Sequence, residues 1–259
     1  MGIFIKNEDQ IARMRVANQI VAGAHRLLEK AVRPGITTKE LSDLAENYIV
    51  SQGAYPSFKG CPAFVPGAKD FPAAICASVN EEVIHGIPGL KKLKDGDIVS
   101  IDIGAVINGF HGDAARTHPV GKTEAGKLRL IEVTRESFFA GIMYARAGRH
   151  LHEISAAIAE VVEGAGFSVV RDFVGHGIGR QMHEEPQIPH YRMQSRGPRL
   201  QKGMTLAIEP MVNMSGCGVR ILPDNWTVVT QDGSWSAHYE NTIVITDGEP
   251  EILSLYESQ

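Results

Sequence analysis

Cysteine is scarce in this chain: only Cys61, Cys76 and Cys217 occur, an odd number with no CxxC pair among them. That argues against a disulfide framework and against a thiolate zinc site, and it fits a reducing, cytoplasmic setting. Long apolar runs are missing as well; nothing approaches the roughly 20 residues needed to span a bilayer. The opening stretch MGIFIKNEDQ carries no signal-peptide core, and Lys6 breaks the myristoylation pattern, so no membrane partner is expected. Strong charge of either sign is also lacking. A net charge of −4 leaves no general footprint for nucleic acid, and the short basic runs KKLK and RGPRLQK read as solvated loops. What remains, with 43% hydrophobic and 22% charged residues, is the composition of an ordinary soluble protein with ample core material.

Two helices are expected first. Asn7 with Gln10 forms a capping-box pattern ahead of the apolar stripe Ile11, Met14, Ile20, Val21, Leu27 and Leu28, which RPG stops. Thr37 with Glu40 opens a second helix that fades at Gly53. Strands follow from about Ile75 to Val120, two helical segments between 124 and 165, and strands again from 167 to 252. In the stretch VSIDIGAVINGFHGDAARTHPV, Asn108-Gly109 is a hairpin turn between two alternating strands. Each of these strands holds an aspartate, Asp102 and Asp113. A turn at Asn108-Gly109 sets Gly104 opposite Asp113, so both carboxylates fall on one face, with a bulge at His111-Gly112 as the variant. Two carboxylates converging on one face suggest a shared cation or a shared proton, the alternative from the hairpin alone being a turn aspartate and a solvated edge residue.

The order helix, helix, strands occurs twice. RPGITTKELS matches RAGRHLHEIS, LKDGDIVSID matches LQKGMTLAIE, and HGD resembles HYE, while HGI appears at 85–87 and again at 176–178. These matches pair Gly35 with Gly148, Gly96 with Gly203, Asp102 with Glu209, and Asp113 with Glu240. Their shared order indicates an internal duplication about an approximate two-fold axis. Such an axis brings Asp102, Asp113, Glu209 and Glu240 to one centre, where repulsion demands neutralisation. Two divalent ions match four carboxylates and leave room for a neutral histidine, and paired ions are a known way to activate water. His176, between glycines in FVGHGIGRQMHEEP, is placed to approach a ligand closely. That stretch is neither a P-loop nor GxGxxG, and HEEPQ is not a zincin motif. HLHE at 150–153 reads as a helix start, and His25 and His118 show no constellation.

The motifs SVNEEVIHGIP, VSIDIGAVINGFHGDAARTHPVG, GHGIGRQMHEEP, GMTLAIEPMVN, DNWTV and SAHYENTIVIT together resemble the methionine aminopeptidases of type I, in their short bacterial form. The resemblance covers nearly the whole chain. It implies an α+β, duplicated "pita-bread" fold, a curved antiparallel sheet covered by helices. One catalytic domain spanning 1–259 is expected, made of pseudo-symmetric halves at about 8–120 and 123–252. It further implies metal ligands at Asp102, Asp113, His176, Glu209 and Glu240, holding two divalent ions (Co, Mn, Fe or Zn), with Asp113 and Glu240 shared. Among the two HGI histidines, the family pattern selects His176. Glu209 is the implied proton acceptor, and His85 and His183 are the implied contacts near the scissile bond. The implied methionine pocket is Phe71, Cys76 and Trp226, with Val65 and Met182 nearby. Here the chain departs from the commoner pattern: Ala68 stands where many members carry tyrosine, Val65 where some carry cysteine, and Met182 where phenylalanine is usual. The implied activity is removal of the initiator methionine from peptides and nascent chains in the cytoplasm. A monomer is expected, with association with the ribosome compatible. The alternative enzyme is an Xaa-Pro aminopeptidase or prolidase on the same fold. A non-enzymatic relative would lack some of the five ligand positions, all of which are filled here.

Overall fold

Among the described residues four helices form, the first two where their capping residues place them. The computed structural model describes residues 2–63 and 67–255. Helix α1 (Glu8–Ala31) opens with Asn7 Oδ1 accepting from Gln10 N at 2.9 Å, and Gln10 Oε1 accepting from Asn7 N at 3.0 Å. Helix α2 (Thr38–Ser51) opens on the reciprocal pair of Thr37 and Glu40. After α3 (Ala125–Ile142), α4 (Leu151–Gly164) starts with His150 N donating to Glu153 Oε1 at 2.8 Å, so HLHE is a helix start. His25 and His118 are buried and structural; His25 Nε2 lies 2.8 Å from Ala114 O.

The strands pair antiparallel throughout the described sheets, apart from one isolated parallel bridge. Ile98–Ile107 and Phe110–Pro119 form an unbroken hairpin about Asn108 and Gly109, whose φ values of 53° and 74° suit the tight primed turn. Gly104 lies across from Asp113, and the ladder runs through His111 and Gly112 without a bulge. Ile101, Ile103 and Ala114 face α1 and α2, packing on Val21, Ala24, Leu41 and Ala45. Strand alternation therefore turns Asp102 and Asp113 to the face away from the helices. In the second half, Leu206, Ile208 and Ile243 pack on Leu130 and Phe138 of α3 and Ile154 and Ile158 of α4. Thr205–Ile208 pairs with Asn241–Val244, and Met211–Asn213 with Ser236–His238.

The duplication is visible bond by bond. Gly35 and Gly148 both have φ of 91°, and Gly96 and Gly203 have 88° and 87°. Gly35 N donates to Leu93 O at 2.8 Å, as Gly148 N does to Leu200 O at 2.9 Å. The bridge from Thr37 to Lys92 has its counterpart from His150 to Arg199. Gly96 N reaches Val120 O and Gly203 N reaches Ile245 O, at 2.8 and 2.9 Å. The two glycines differ in surroundings. A Cβ on Gly203 would lie 2.5 Å from Lys6 O, whereas one on Gly96 meets nothing closer than Lys122 O at 3.6 Å. Both substitutions carry the left-handed backbone cost of about 1–3 kcal/mol, and Gly203→Ala adds a backbone clash. Urea unfolding should accordingly show Gly203→Ala losing more stability than Gly96→Ala; equal losses would contradict the close packing at Lys6.

One pairing shifts. Across the join of the halves, Thr242 Oγ1 donates to Asp113 O at 2.9 Å and accepts from Asp113 N at 3.2 Å. Thr117 Oγ1 donates to His238 O and accepts from His238 N, both at 2.9 Å. Likewise Asp113 lies across from Gly104, two residues past Asp102, and His238 across from Met211, two residues past Glu209. The structural counterpart of Asp113 is thus His238 rather than Glu240. Aligning HGD with HYE misplaces the match by two residues, because strand alternation preserves the face and hides such a slip.

Candidate metal centre

The face turned away from the helices holds the acids. Asp102 comes from the middle of the first hairpin strand and Asp113 from its return. Glu209 follows Thr205–Ile208, and Glu240 precedes Asn241–Val244. With Asn241 paired to Ile208 and His238 to Met211, Glu240 and Glu209 fall opposite one another where both strands break. Glu240 N donates to Ala115 O at 2.9 Å, and the buried Arg116 guanidinium donates to Glu240 O and, at 2.6 Å, to Asn241 Oδ1. Arg116 also stacks on Tyr239, 4.4 Å from the ring centre. The second half's pair of acids is thereby tied to the first half's strand.

His176 enters from Gly175–Gly177, which pairs with Thr205–Ile208 so that His176 sits across from Ala207. Its Nε2 is 3.5 Å from Glu209 Oε1 and 3.8 Å from Asp113 Oδ2, and its Nδ1 lies 2.8 Å from Gly177 O. The carbonyl fixes the tautomer that leaves Nε2 free to accept or ligate. His85, the other HGI histidine, lies beyond the end of Glu82–Ile84 instead.

Asp113 and Glu240 are 3% and 1% exposed, with Asp102 and Glu209 half-buried beside them. Burial pushes the Asp102 carboxyl up to about 7. Burial also holds Glu209 well above the usual carboxylate range, and Asp113 and Glu240 likewise, with repulsion from the neighbouring carboxylates added. His176 is pushed down to about 3, by burial first and then by the charge of His183. Asp102 Oδ1, Asp113 Oδ1 and Glu240 Oε1 are buried without a hydrogen-bond partner among the described residues. Converging acids with orphaned oxygens and a neutral imidazole are what divalent cations need. Donor atoms of Asp113, His176 and Glu240 lie within 4.8 Å of one another, and so do those of Glu209, His238 and Glu240.

Asp102, Asp113, His176, Glu209 and Glu240 line a cavity of about 550 Å³. On its apolar side Phe71, Cys76 and Trp226 form a buried cluster, with Phe58 and Cys61 packed against it. The Phe71 and Trp226 rings meet edge to face at 5.1 Å, and Trp226 Nε1 donates to Lys69 O at 2.9 Å. Burial drives the Cys76 thiol well above its ordinary pKa, so it presents a neutral, polarisable wall. His85 lines the cavity from a backbone with φ of 58°, its ring edge-on to Phe173 at 5.9 Å and Trp226 at 6.2 Å. Such strained backbones gather at functional sites. His183 stands at the mouth, its ring centre 4.5 Å from that of His176. The next residue, Glu184, is anchored by a buried 2.6 Å ion pair with Lys6.

Not every expected residue lines the cavity. Met182 packs on the cluster of Ile11, Met14, Phe110 and Ile178, and its Cε occupies space that a Cβ on Gly104 would claim at 3.1 Å. Val65 lies outside the described residues. Phe58, Phe173 and His238 were not anticipated at the site. Phe58 and Phe173 carry no local signal, since aromatic residues in loops are as often plain packing. His238 did carry one: it shares a strand face with Glu240, two residues on.

Over residues 12–247 the chain matches the family described as Metallopeptidase family M24. It is 54% identical to a methionine aminopeptidase of Clostridium perfringens, covering 98% of this chain and 99% of that one. A crystal structure of a methionine aminopeptidase from Thermotoga maritima superposes with a TM-score of 0.93 at 44% identity, covering 98% of this chain and 100% of that one. A prolidase from Pyrococcus furiosus, at 22% identity and a TM-score of 0.78, covers 98% of this chain and 66% of that one, and shares the fold alone. The pita-bread fold and the metal-binding character that the motifs imply are therefore those of its relatives, and the chain belongs to metallopeptidase family M24.

Proposed function

We propose that this protein is a methionyl aminopeptidase that removes the N-terminal methionine of peptides and nascent chains by metal-assisted hydrolysis. One observation carries the reading: the acid cluster and His176 share a single cavity with the apolar wall of Phe71, Cys76 and Trp226. Asp102, Asp113, His176, Glu209 and Glu240 would hold two divalent ions. When bound, the ions supply the positive charge that acidifies water and polarises the scissile carbonyl. Glu209, half-buried at the cavity and raised in pKa by burial, accepts the proton from the attacking water. His183, at the mouth, and His85, beside Trp226, donate N–H bonds to the scissile carbonyl, and Glu209 passes the proton taken from water to the leaving amine as the C–N bond breaks.

The apolar wall takes the methionine side chain, whose thioether suits aromatic edges and a neutral thiol. The acid cluster faces the free α-amine, which confines cleavage to the first peptide bond. Both halves contribute acids, so they work as one catalytic domain. Among the described residues no helix is long and apolar enough to cross a membrane. The reading places the protein in the cytoplasm as a monomer, meeting chains as they leave the ribosome.

The direct test strips the protein with EDTA, reloads it with Mn or Co, and measures free methionine released from Met-Ala-Ser. Ala-Pro-Ala runs alongside. Metal-dependent cleavage of the methionyl peptide alone is expected, and cleavage of only the Xaa-Pro peptide moves the activity to the prolidase side. Trp226→Leu tests the pocket: it should raise KM for the methionyl peptide by roughly tenfold with kcat little changed, since the lost contact is made equally in ground and transition states. Unaltered kinetics would remove Trp226 from the pocket.

A further inference from the structure

Glu209 is bracketed by two imidazoles. His176 Nε2 faces Oε1 at 3.5 Å, and His238 Nε2 faces Oε2, also at 3.5 Å. His176 belongs to the proposed ligand set, but His238 has no role in it. His238 is only 2% exposed, and its Nε2 makes no hydrogen bond among the described residues, the Glu209 carboxylate standing at ion-pair distance from it. Its place is fixed from behind by the paired backbone bonds to Thr117 Oγ1, the counterparts of those that Thr242 makes to Asp113. The duplication therefore aims His238 at the same centre as Asp113, from the opposite half. A buried ring nitrogen held this way and lacking any other acceptor is costly unless it serves that carboxylate.

We propose that His238 is a positioning residue: in its Nε2–H tautomer it donates to Glu209 Oε2, orienting the carboxylate so that Oε1 is kept for the ion and the reacting water. Donors that hold a ligating carboxylate set both its direction and its basicity, and losing one typically costs about 10–100-fold in metal affinity or activity. The proposal rests on the reading of Glu209 as a metal ligand. It also separates His238 from the ligands themselves, although the donor atoms of Glu209, His238 and Glu240 are close enough to share an ion.

The test uses the full chain, stripped with EDTA and titrated calorimetrically with Mn. His238→Ala should bind Mn about 10–100-fold more weakly than the wild type. His238→Gln, whose amide restores a donor, should recover wild-type affinity, a rescue that a merely space-filling role would not give. If His238→Ala does not fold, His238→Leu takes its place, retaining bulk without a donor. Wild-type affinity in the donor-free variant overturns the proposal, and so does failure of His238→Gln to recover. X-ray absorption on the wild-type chain loaded with two zinc ions should show one coordinated imidazole for the pair; two would make His238 a ligand and overturn the positioning role. Methionine release by the Mn-loaded wild type is measured in parallel, so a failure of the proposed activity is read separately from a failure at His238.

Discussion

Replacing Glu209 by Gln lowers kcat for methionine release from Met-Ala-Ser by roughly 10²–10⁴-fold, the range for loss of a positioned acid or base. The reason is local. Of the four acids, Asp113 and Glu240 are almost fully enclosed, whereas Glu209 is half-buried between His176 and His238. On the proposed reading it both holds an ion and reaches a water. Burial raises its carboxyl pKa, which makes it a stronger proton acceptor than an ordinary glutamate near neutral pH. Gln keeps the side chain's volume, so packing is retained while the charge and the basic oxygen are lost. Metal content, measured on the same sample, separates the two contributions. A variant that retains its metal yet loses turnover identifies the proton acceptor. Activity close to wild type would remove Glu209 from the mechanism.

Removing the metal should abolish turnover and lower thermal stability in a pH-dependent way. In the metal-free state burial shifts Asp102 from its ordinary range up to about 7, and Asp113, Glu209 and Glu240 shift upward with it. The folded state then binds more protons than the unfolded chain between the two pKa values. Stability of the stripped protein consequently falls as pH rises from about 4 to about 7, and is unaffected by these groups below about 4. Cations reverse this, because they replace the protons and bind best to ionised carboxylates. At a metal concentration about 100 times Kd, binding adds roughly 2.7 kcal/mol, which for a chain of this size corresponds to some 5–10 °C in Tm. The gap between stripped and Mn-loaded melting temperatures should widen from pH 5 to pH 7.5. A gap that is absent, or that narrows over this range, would falsify the cation role of the cluster.

The reach of the sequence is clearest in what needed only local chemistry. The capping residues Asn7 and Thr37 located α1 and α2, because a cap is a hydrogen bond between residues three apart. Asn108-Gly109 set the hairpin register, and with it Gly104 across from Asp113, since only such residues accept the left-handed turn. The repeated motifs then pointed to four acids at one centre, and the family pattern chose His176 from two equal HGI candidates. In the structure His176 lies against Glu209 and Asp113.

Tertiary structure alone decided the rest. Two strand residues that differ by two positions lie on the same face, so no periodicity could tell whether Asp113 answers to Glu240 or to His238. The bonds of Thr117 and Thr242 across the join settle it for His238. Met182, beside His183 in the chain, packs on Ile11, Met14, Phe110 and Ile178 with its Cε in the hollow that Gly104 leaves, and Phe58 and Phe173 reach the cavity from loops without a pattern. Composition and spacing thus determined the helices, the hairpin and the acids, which depend on interactions a few residues long. Which imidazole faces which carboxylate depends on contacts between residues more than a hundred apart, and only the folded chain brings those together.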